Sequence, residues 1–169
     1  MEVVEREIRL EQTIIGMGKK IRALPGVDGF VKSFPRSIVR NPDFHGCSYT
    51  PGHVAGLEVL RQERRSSDAV LYMACSYGVG VKILEALGYG IEGIDSDLEA
   101  VCAANERGLD VSFENAFSIR DDGITAANFD VVISRDFLRA DYFLEDGTIN
   151  RLLGIKHELL QEGGIAISY

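Results

Sequence analysis

The hydrophobic and polar positions of this chain follow two periods, which alternate along most of its length. Short apolar runs, bounded by glycine or polar residues, predict five β-strands over residues 69–75, 90–95, 111–115, 129–134 and 165–169. Apolar residues three or four positions apart predict intervening helices over about 79–87, 96–107 and 149–162. This alternation predicts an α/β domain, in which a parallel sheet is covered by helices on both faces.

The N-terminal residues depart from that alternation. Val3–Leu24 carries an apolar stripe at helical spacing and predicts an amphipathic helix. Pro25–Tyr49 is irregular and rich in proline and glycine, with a short strand expected around Phe30–Phe34. We therefore expect an extension over 1–49 that precedes the main domain.

A clear helix start opens the main domain, which is expected to cover 50–169. Thr50 is the predicted N-cap and Pro51 the first helical residue, and the helix is expected to run to about Arg65. A polar segment then leads into the first strand of the sheet.

The stretch most typical of ligand binding is the first strand with its turn, Val70–Gly80. A buried strand that ends in small residues and runs directly into a helix presents free backbone N–H groups to an anionic or polar ligand. Gly78 and Gly80 are expected to let that ligand approach the backbone. The next strand ends in Asp95, the position at which nucleotide-binding units place an acid for ribose hydroxyls. Ser96 follows and predicts a capping box that opens the next helix.

Composition narrows the class of function. The 169-residue chain has a net charge of −8, and its acidic excess lies after residue 68, so general affinity for nucleic acid is disfavoured. The three cysteines form no disulfide framework, and we find neither a membrane-spanning run nor a signal peptide. His45, Cys47 and His53 match no standard zinc spacing, so no metal site is predicted. A cytoplasmic protein is expected.

The order of these motifs resembles that of the class I S-adenosylmethionine-dependent methyltransferases, over roughly 50–169. In that family an apolar strand and an acid precede a glycine-rich turn; here Tyr72 replaces the acid, and Ala74 and Ser76 replace two glycines. The later motifs are matched by Gly93–Ser96, Asn115–Ala116, Phe129–Ser134 and Gly163–Ile165. The resemblance implies a Rossmann-like sheet with the strand order 3-2-1-4-5.

Carried over position by position, the resemblance implies a site for S-adenosyl-L-methionine and its product S-adenosyl-L-homocysteine. The turn would lie along the methionine part, Asp95 would bind the ribose, and Asn115 and Ala116 would meet the adenine. Ser134, which ends the fourth strand, would face the methyl group. The complete implied set is Ala74, Cys75, Ser76, Gly78, Asp95, Ser96, Asn115, Ala116 and Ser134.

The acceptor and the catalytic residues are less defined. Methyl transfer to a nucleophilic atom requires alignment and exclusion of water more than acid–base chemistry; Asp136 and His53 are the candidates for an assisting base. Tyr49–Pro51 is similar to the entry motif of some amino-group DNA methyltransferases, but Ser134–Phe137 lacks the proline pair that holds the target amine in those enzymes. We therefore do not assign methylation of DNA or RNA amines. The acceptor is unidentified, and a small molecule or another acceptor is expected.

Two alternatives remain open. Tyr72 carries no charge where the family's acid organises the cationic end of the cofactor, which is compatible with a non-catalytic binding or assembly subunit of the same fold. An NAD-type protein is disfavoured, because Ser76 and Tyr77 interrupt the Gly-x-Gly-x-x-Gly pattern and Ile83 occupies its last position.

A homodimer is expected, through the N-terminal helix or through the open edge of the fifth strand.

Overall fold

The sheet of this protein contains five parallel strands in the order β3-β2-β1-β4-β5. The computed structural model describes residues 16, 19–39, 60, 69–117, 119, 128–134 and 148–168. The strands are β1 (Ala69–Met73), β2 (Gly90–Asp95), β3 (Val111–Phe113), β4 (Phe129–Ser134) and β5 (Leu160–Ser168). The helices are α1 (Val27–Lys32), α2 (Arg36–Val39), α3 (Val79–Ala86), α4 (Leu98–Asn105) and α5 (Thr148–Leu159). The predicted parallel sheet and its strand order are confirmed.

Side chains of β1 alternate between the two faces of the sheet, and each face has its own helices. Val70 and Tyr72 belong to a core that includes residues of α1, α3 and α4, whereas Leu71 and Met73 belong to a second core with residues of α5. Successive residues of a strand point to opposite faces, so a strand covered on both sides must be apolar throughout. The predicted covering of both faces by helices is confirmed.

The strand order reverses between β1 and β4. Met73, the last residue of β1, pairs with Ile94 on one side and with Ser134, the last residue of β4, on the other. The N–H of Cys75 donates to the carbonyl of Ile94 at 3.1 Å, so the pairing of this chain segment with β2 continues two residues past the end of β1. In α/β sheets, ligands bind outside the carboxyl ends of the strands at this point of reversal.

The strand predicted around Phe30–Phe34 is wrong, because this region forms the helix α1. Val27, Phe30 and Phe34 are buried together, and their spacing of three and four residues is helical. Gly26 begins the helix in a left-handed conformation with φ of 77°. The aromatic residues suggested a strand, but packing against the main domain favours the helix. The boundary predicted at residue 49 stays a prediction, although α1 shares the first core.

The boundary between the last helix and the last strand lies earlier than predicted. The helix α5 ends at Leu159, and β5 begins at Leu160 and includes Gly163 and Gly164. The pairing of β4 with β5 shifts register between Phe129 and Val131, opposite these glycines. Gly163 has φ of 76°, and a Cβ at Gly164 would lie 3.0 Å from the carbonyl oxygen of Gln161. The glycine pair therefore accommodates a β-bulge rather than a helix end.

Several predicted elements lie mostly outside the described residues. Of the helix predicted over Val3–Leu24, residues 16 and 19–24 are described; residues 16 and 19–22 are helical, and Ala23 and Leu24 lie in the turn that follows. Of the helix predicted from Thr50, Leu60 alone is described; it is helical and fully buried. Among the helices that the structure describes, no helix combines the length and the apolar character needed to cross a membrane.

Candidate functional site

The turn after β1 has a backbone conformation that usually requires glycine. Ala74, Ser76 and Gly78 have φ angles of 54°, 50° and 77°, so alternate residues of the turn are left-handed. For a residue with a Cβ this conformation costs about 1 kcal/mol. The chain thus keeps the backbone shape of a three-glycine turn with glycine at one of the three positions.

Asp95 joins this turn to the loop after β2. Its carboxylate accepts a hydrogen bond from the N–H of Ser76 at 2.6 Å and another from the N–H of Asp97 at 2.9 Å. The two bonds use different oxygens, so each oxygen keeps acceptor capacity. The structure therefore brings Ser76 and Asp95 together at the carboxyl ends of β1 and β2.

The predicted capping box is wrong by one residue. Asp97 is the N-cap of α4, and its carboxylate accepts from the N–H groups of Glu99 and Ala100 at 2.9 and 3.3 Å. An aspartate can cap as well as a serine, and the helix starts one residue later as a result. Ser96 is exposed in the loop between Asp95 and this cap.

Asn115 and Ala116 follow β3 on the same side of the sheet. The side-chain oxygen of Asn115 accepts from the N–H of Phe117 at 2.9 Å, which fixes a local turn, and Ala116 is buried. Two large apolar side chains that sequence reasoning missed lie close by in the fold. Phe113, which pairs with Asp95, is 56% exposed, and Leu98 at the start of α4 is 57% exposed. The sequence signal that could have identified them is their position, since Phe113 ends β3 and Leu98 begins α4.

At both glycines expected to admit a ligand, the space that a Cβ would fill is taken by the protein's own side chains. A Cβ at Gly78 would clash with Cδ1 of Leu109, and a Cβ at Gly80 would lie 2.5 Å from the ring of Tyr72. Tyr72 is 2% exposed. The residue that replaces the family's acid is thus a core residue packed on the first turn of α3, and the expectation for Gly80 is corrected.

Cys75 is a buried thiol at the turn and not a nucleophile. Burial, and secondarily the negative charge of Asp95, raise the pKa of its thiol far above the usual range. A protonated thiol is a poor nucleophile. Its sulfur lies 3.0 Å from the position that a Cβ at Gly93 would take, so Cys75 serves packing between the turn and β2.

An N-terminal contact supports the turn from outside the sheet. The ring of Tyr77 meets the ring of Phe34 edge-on with centroids 5.8 Å apart. The guanidinium of Arg107 lies over the ring of Phe34, 4.0 Å from its centroid, and donates to the hydroxyl and the carbonyl of Ser33. The segment after α1 is therefore tied to both the turn and the end of α4.

Ser134 belongs to a polar cluster that sequence reasoning missed. Lys156 of α5 is fully buried, and its ammonium donates to the hydroxyl of Ser134 at 2.6 Å and to that of Ser168 at 2.5 Å. Burial lowers the pKa of Lys156 to about 8. In sequence this lysine reads as a surface charge of an amphipathic helix, so no local signal could have found it.

The candidate bases Asp136 and His53 lie outside the described residues. Every other predicted site residue is described, and these residues lie at or just after the carboxyl ends of β1, β2, β3 and β4. The structure therefore places the predicted cofactor residues on one edge of the sheet.

Comparison with solved structures identifies the architecture. The chain superposes on the PH0226 protein of Pyrococcus horikoshii with a TM-score of 0.58 at 18% identity, over 80% of this chain and 66% of that one. It superposes on the sugar N-methyltransferase KedS8 of Streptoalloteichus with a TM-score of 0.58 at 19% identity, over 73% and 49% of the two chains. A TehB-like SAM-dependent methyltransferase of Corynebacterium glutamicum gives 0.53 at 18% identity, over 67% and 60%.

This chain has the class I S-adenosylmethionine-dependent methyltransferase fold. The shared strand order and the repeated match to methyltransferases decide this. No protein-family model and no curated protein sequence matches the chain. It spans between 44% and 66% of the length of the neighbours PH0226, KedS8 and TehB of Haemophilus influenzae, so the methyltransferase fold is matched over part of those proteins.

Proposed function

We propose that this chain binds S-adenosylmethionine and transfers its methyl group to a small-molecule acceptor. The observation that carries the proposal is the bond between the carboxylate of Asp95 and the N–H of Ser76, 2.6 Å long. It fixes an acid beside a left-handed turn where the strand order reverses, and this is where α/β proteins bind nucleotides. The methyltransferase fold agrees with that use.

The residues around the turn suit the parts of this cofactor. The free acceptor capacity of Asp95 would take the ribose hydroxyls, and the turn 74–78 would follow the methionine part. The exposed side chains of Leu98 and Phe113 would cover the faces of the adenine ring, since exposed apolar groups at a site favour a flat apolar ligand. When bound, the cofactor supplies an electrophilic methyl group.

The acceptor is proposed to be small. The acidic excess of the main domain disfavours a polyanionic acceptor. One structural neighbour, KedS8, is a sugar N-methyltransferase. Asp136 and His53 remain the candidates for an assisting base, and the chemistry needs one only where the acceptor must lose a proton.

The alternative is a non-catalytic subunit with the same fold. The observation that favours it is the burial of the neutral Tyr72 ring at the position of the family's acid. In this case the turn would keep its shape without binding the cofactor, and the chain would act through its surface.

Calorimetric titration with S-adenosylmethionine, S-adenosylhomocysteine and NAD tests the proposal. We expect the first two to bind and NAD not to bind, and we expect Asp95→Ala to weaken binding at least about tenfold, because the hydroxyl acceptor and the fixed turn are lost together. The matched control is Asp110→Ala, which removes an exposed acid at the amino end of β3 and should bind normally. Failure of all three ligands to bind the folded wild-type chain would favour the non-catalytic alternative.

A further inference from the structure

Lys156 is a buried cation whose hydrogen-bond partners are all neutral. Its ammonium donates to the hydroxyls of Ser134 and Ser168 and to the carbonyl of Ile167, at 2.6, 2.5 and 3.4 Å. These three bonds match its three N–H groups. The side chain is 0% exposed, so water does not compensate the charge.

No carboxylate among the described residues offsets this charge. On α5 itself, His157 and Glu158 are exposed on the outer face. On β4, Asp130 lies at the opposite end of the strand and accepts from the N–H of Ala69 and from the Gln161 amide. On β5, Glu162 is exposed near the start of the strand, and the neighbouring side of β1 is apolar. A buried charge without an opposite partner is costly to hold.

The charge lies beside the point where the strand order reverses. Ser134, its hydrogen-bond partner, ends β4 and pairs with Met73, which is the last residue before the turn 74–78. The second partner, Ser168, pairs with Ser134 and is exposed. The ammonium of Lys156 therefore contacts the last residues of β4 and β5, at the carboxyl edge of the sheet where the proposed cofactor binds.

We propose that Lys156 sets how the site discriminates the sulfonium cofactor from its neutral thioether product. This inference rests on the proposed function. The two ligands share the adenosine and amino-acid parts and differ by one methyl group and one positive charge. Protonated Lys156 repels the sulfonium and not the thioether, because charges interact strongly across a poorly solvated site.

The consequence is a proton linkage at the site. Because the pKa of Lys156 is lowered to about 8, the ammonium can lose its proton near neutral pH when a second positive charge binds nearby. The sulfonium ligand should then bind with release of part of a proton from Lys156, whereas the thioether should bind without that release. Linkage requires the reverse as well: loss of the proton tightens binding of the sulfonium form.

The test is calorimetric binding of S-adenosylmethionine and S-adenosylhomocysteine to the wild-type chain between pH 7 and 9.5. We expect the ratio of their dissociation constants to shift in favour of the sulfonium ligand by roughly five- to tenfold across this range. Titrations at pH 7.5 in two buffers of different ionisation enthalpy should show extra proton release for the sulfonium ligand. Titration of the ligands' own amino groups also contributes to the ratio, and it is the same for the wild type and for variants of the protein.

Two variants assign the effect to Lys156. In Lys156→Met the ratio should change less with pH than in the wild type, whereas in Lys32→Met, which removes an exposed lysine of α1, it should change as in the wild type. A wild-type ratio that is flat with pH, with equal proton release for both ligands, overturns the inference even though both ligands bind. Absence of binding by either ligand would instead count against the proposed function, on which this inference depends.

Discussion

At the scale of single residues, Ala74 and Ser76 hold a conformation that ordinarily belongs to glycine. Their φ angles of 54° and 50° are stabilised by the surroundings, because the N–H of Ser76 is bound by Asp95 and the N–H of Gly78 by the carbonyl of Cys75. Hydrogen bonds to Asp95 and Cys75 therefore hold the turn in this conformation, which glycine at positions 74 and 76 would otherwise adopt more easily. Sequence reasoning predicted Asp95 beside the turn, since both follow adjacent parallel strands, but it could not show that the turn keeps its shape with two glycines replaced.

The strain at Ala74 can be measured. Ala74→Gly should raise the free energy of unfolding by up to about 1 kcal/mol, because relief of the left-handed strain exceeds the entropy gained by the unfolded chain. The matched change in a right-handed helix, Ala103→Gly in α4, should lower it by about 1 kcal/mol. Urea unfolding measures both. A loss of stability in Ala74→Gly would show that its Cβ makes contacts that outweigh the strain.

The buried lysine predicts a pH dependence of stability with a definite sign. The pKa of Lys156 is about 8 in the folded chain against 10.5 for an ordinary lysine. Between these values the unfolded chain binds a proton that the folded chain has lost, so stability rises with pH, by roughly 1–3 kcal/mol in total. Below pH 8 both states are protonated and the contribution is flat.

Lys156→Met should remove this rise and increase stability at pH 7, because an apolar side chain replaces an unpaired buried charge. Urea unfolding at pH 7, 8, 9 and 10 measures it against the wild type. The exposed Lys32→Met variant should retain the rise. An identical slope in wild type and Lys156→Met would contradict the prediction.

At the scale of elements, the sequence predicted what local patterns determine and missed what packing determines. The strands β1, β2 and β4 are short apolar runs with turn residues at each end, so their positions followed from pattern alone. The helix α1 was missed because Phe30 and Phe34 favour a strand locally, and only their burial against the first core selects the helix. Gly163 and Gly164 suggested a helix end, but the bulge opposite β4 is a tertiary feature. Lys156 likewise acquires its role through contacts with two other elements.

The packing of β2 against the turn gives a prediction at this scale. A Cβ at Gly93 would lie 2.9 to 3.0 Å from Val81, Cys75 and Val111, whereas a Cβ at Gly90 on the same strand meets nothing within 4 Å. Gly93→Ala should therefore lower the free energy of unfolding by about 1–3 kcal/mol. Gly90→Ala should change it by less than about 0.5 kcal/mol. Equal effects in thermal unfolding would show that β2 can shift to accept the methyl group.

At the scale of the whole molecule, the N-terminal part and the sheet share one core. Phe34 contacts Tyr77 of the turn, and Arg107 joins Phe34 and Ser33 to the end of α4. The proposed site is therefore supported by a segment that precedes β1 in sequence. The homodimer stays a prediction, which light scattering would test.

Arg107 should control how firmly the N-terminal part is held. Arg107→Lys keeps the charge but loses the flat group that stacks on Phe34 and the paired bonds to Ser33. We expect faster hydrogen exchange of the α1 amides, including the N–H of Phe30 bonded to Gly26, with unchanged exchange in β1 and β4. Arg151→Lys is the matched control, because Arg151 lies over the ring of Phe117 and donates to its carbonyl from α5, away from α1. Uniformly faster exchange would indicate global destabilisation instead.

The contact between Phe34 and Tyr77 also offers a position for a fluorescent reporter of ligand binding at the turn. The chain contains no tryptophan, so Phe34→Trp would introduce a single indole against the turn, where the wild-type rings lie 5.8 Å apart. A ligand that binds at the turn would change the polarity around that indole. The wavelength and intensity of the indole emission would then report ligand binding in real time, without an assay of turnover.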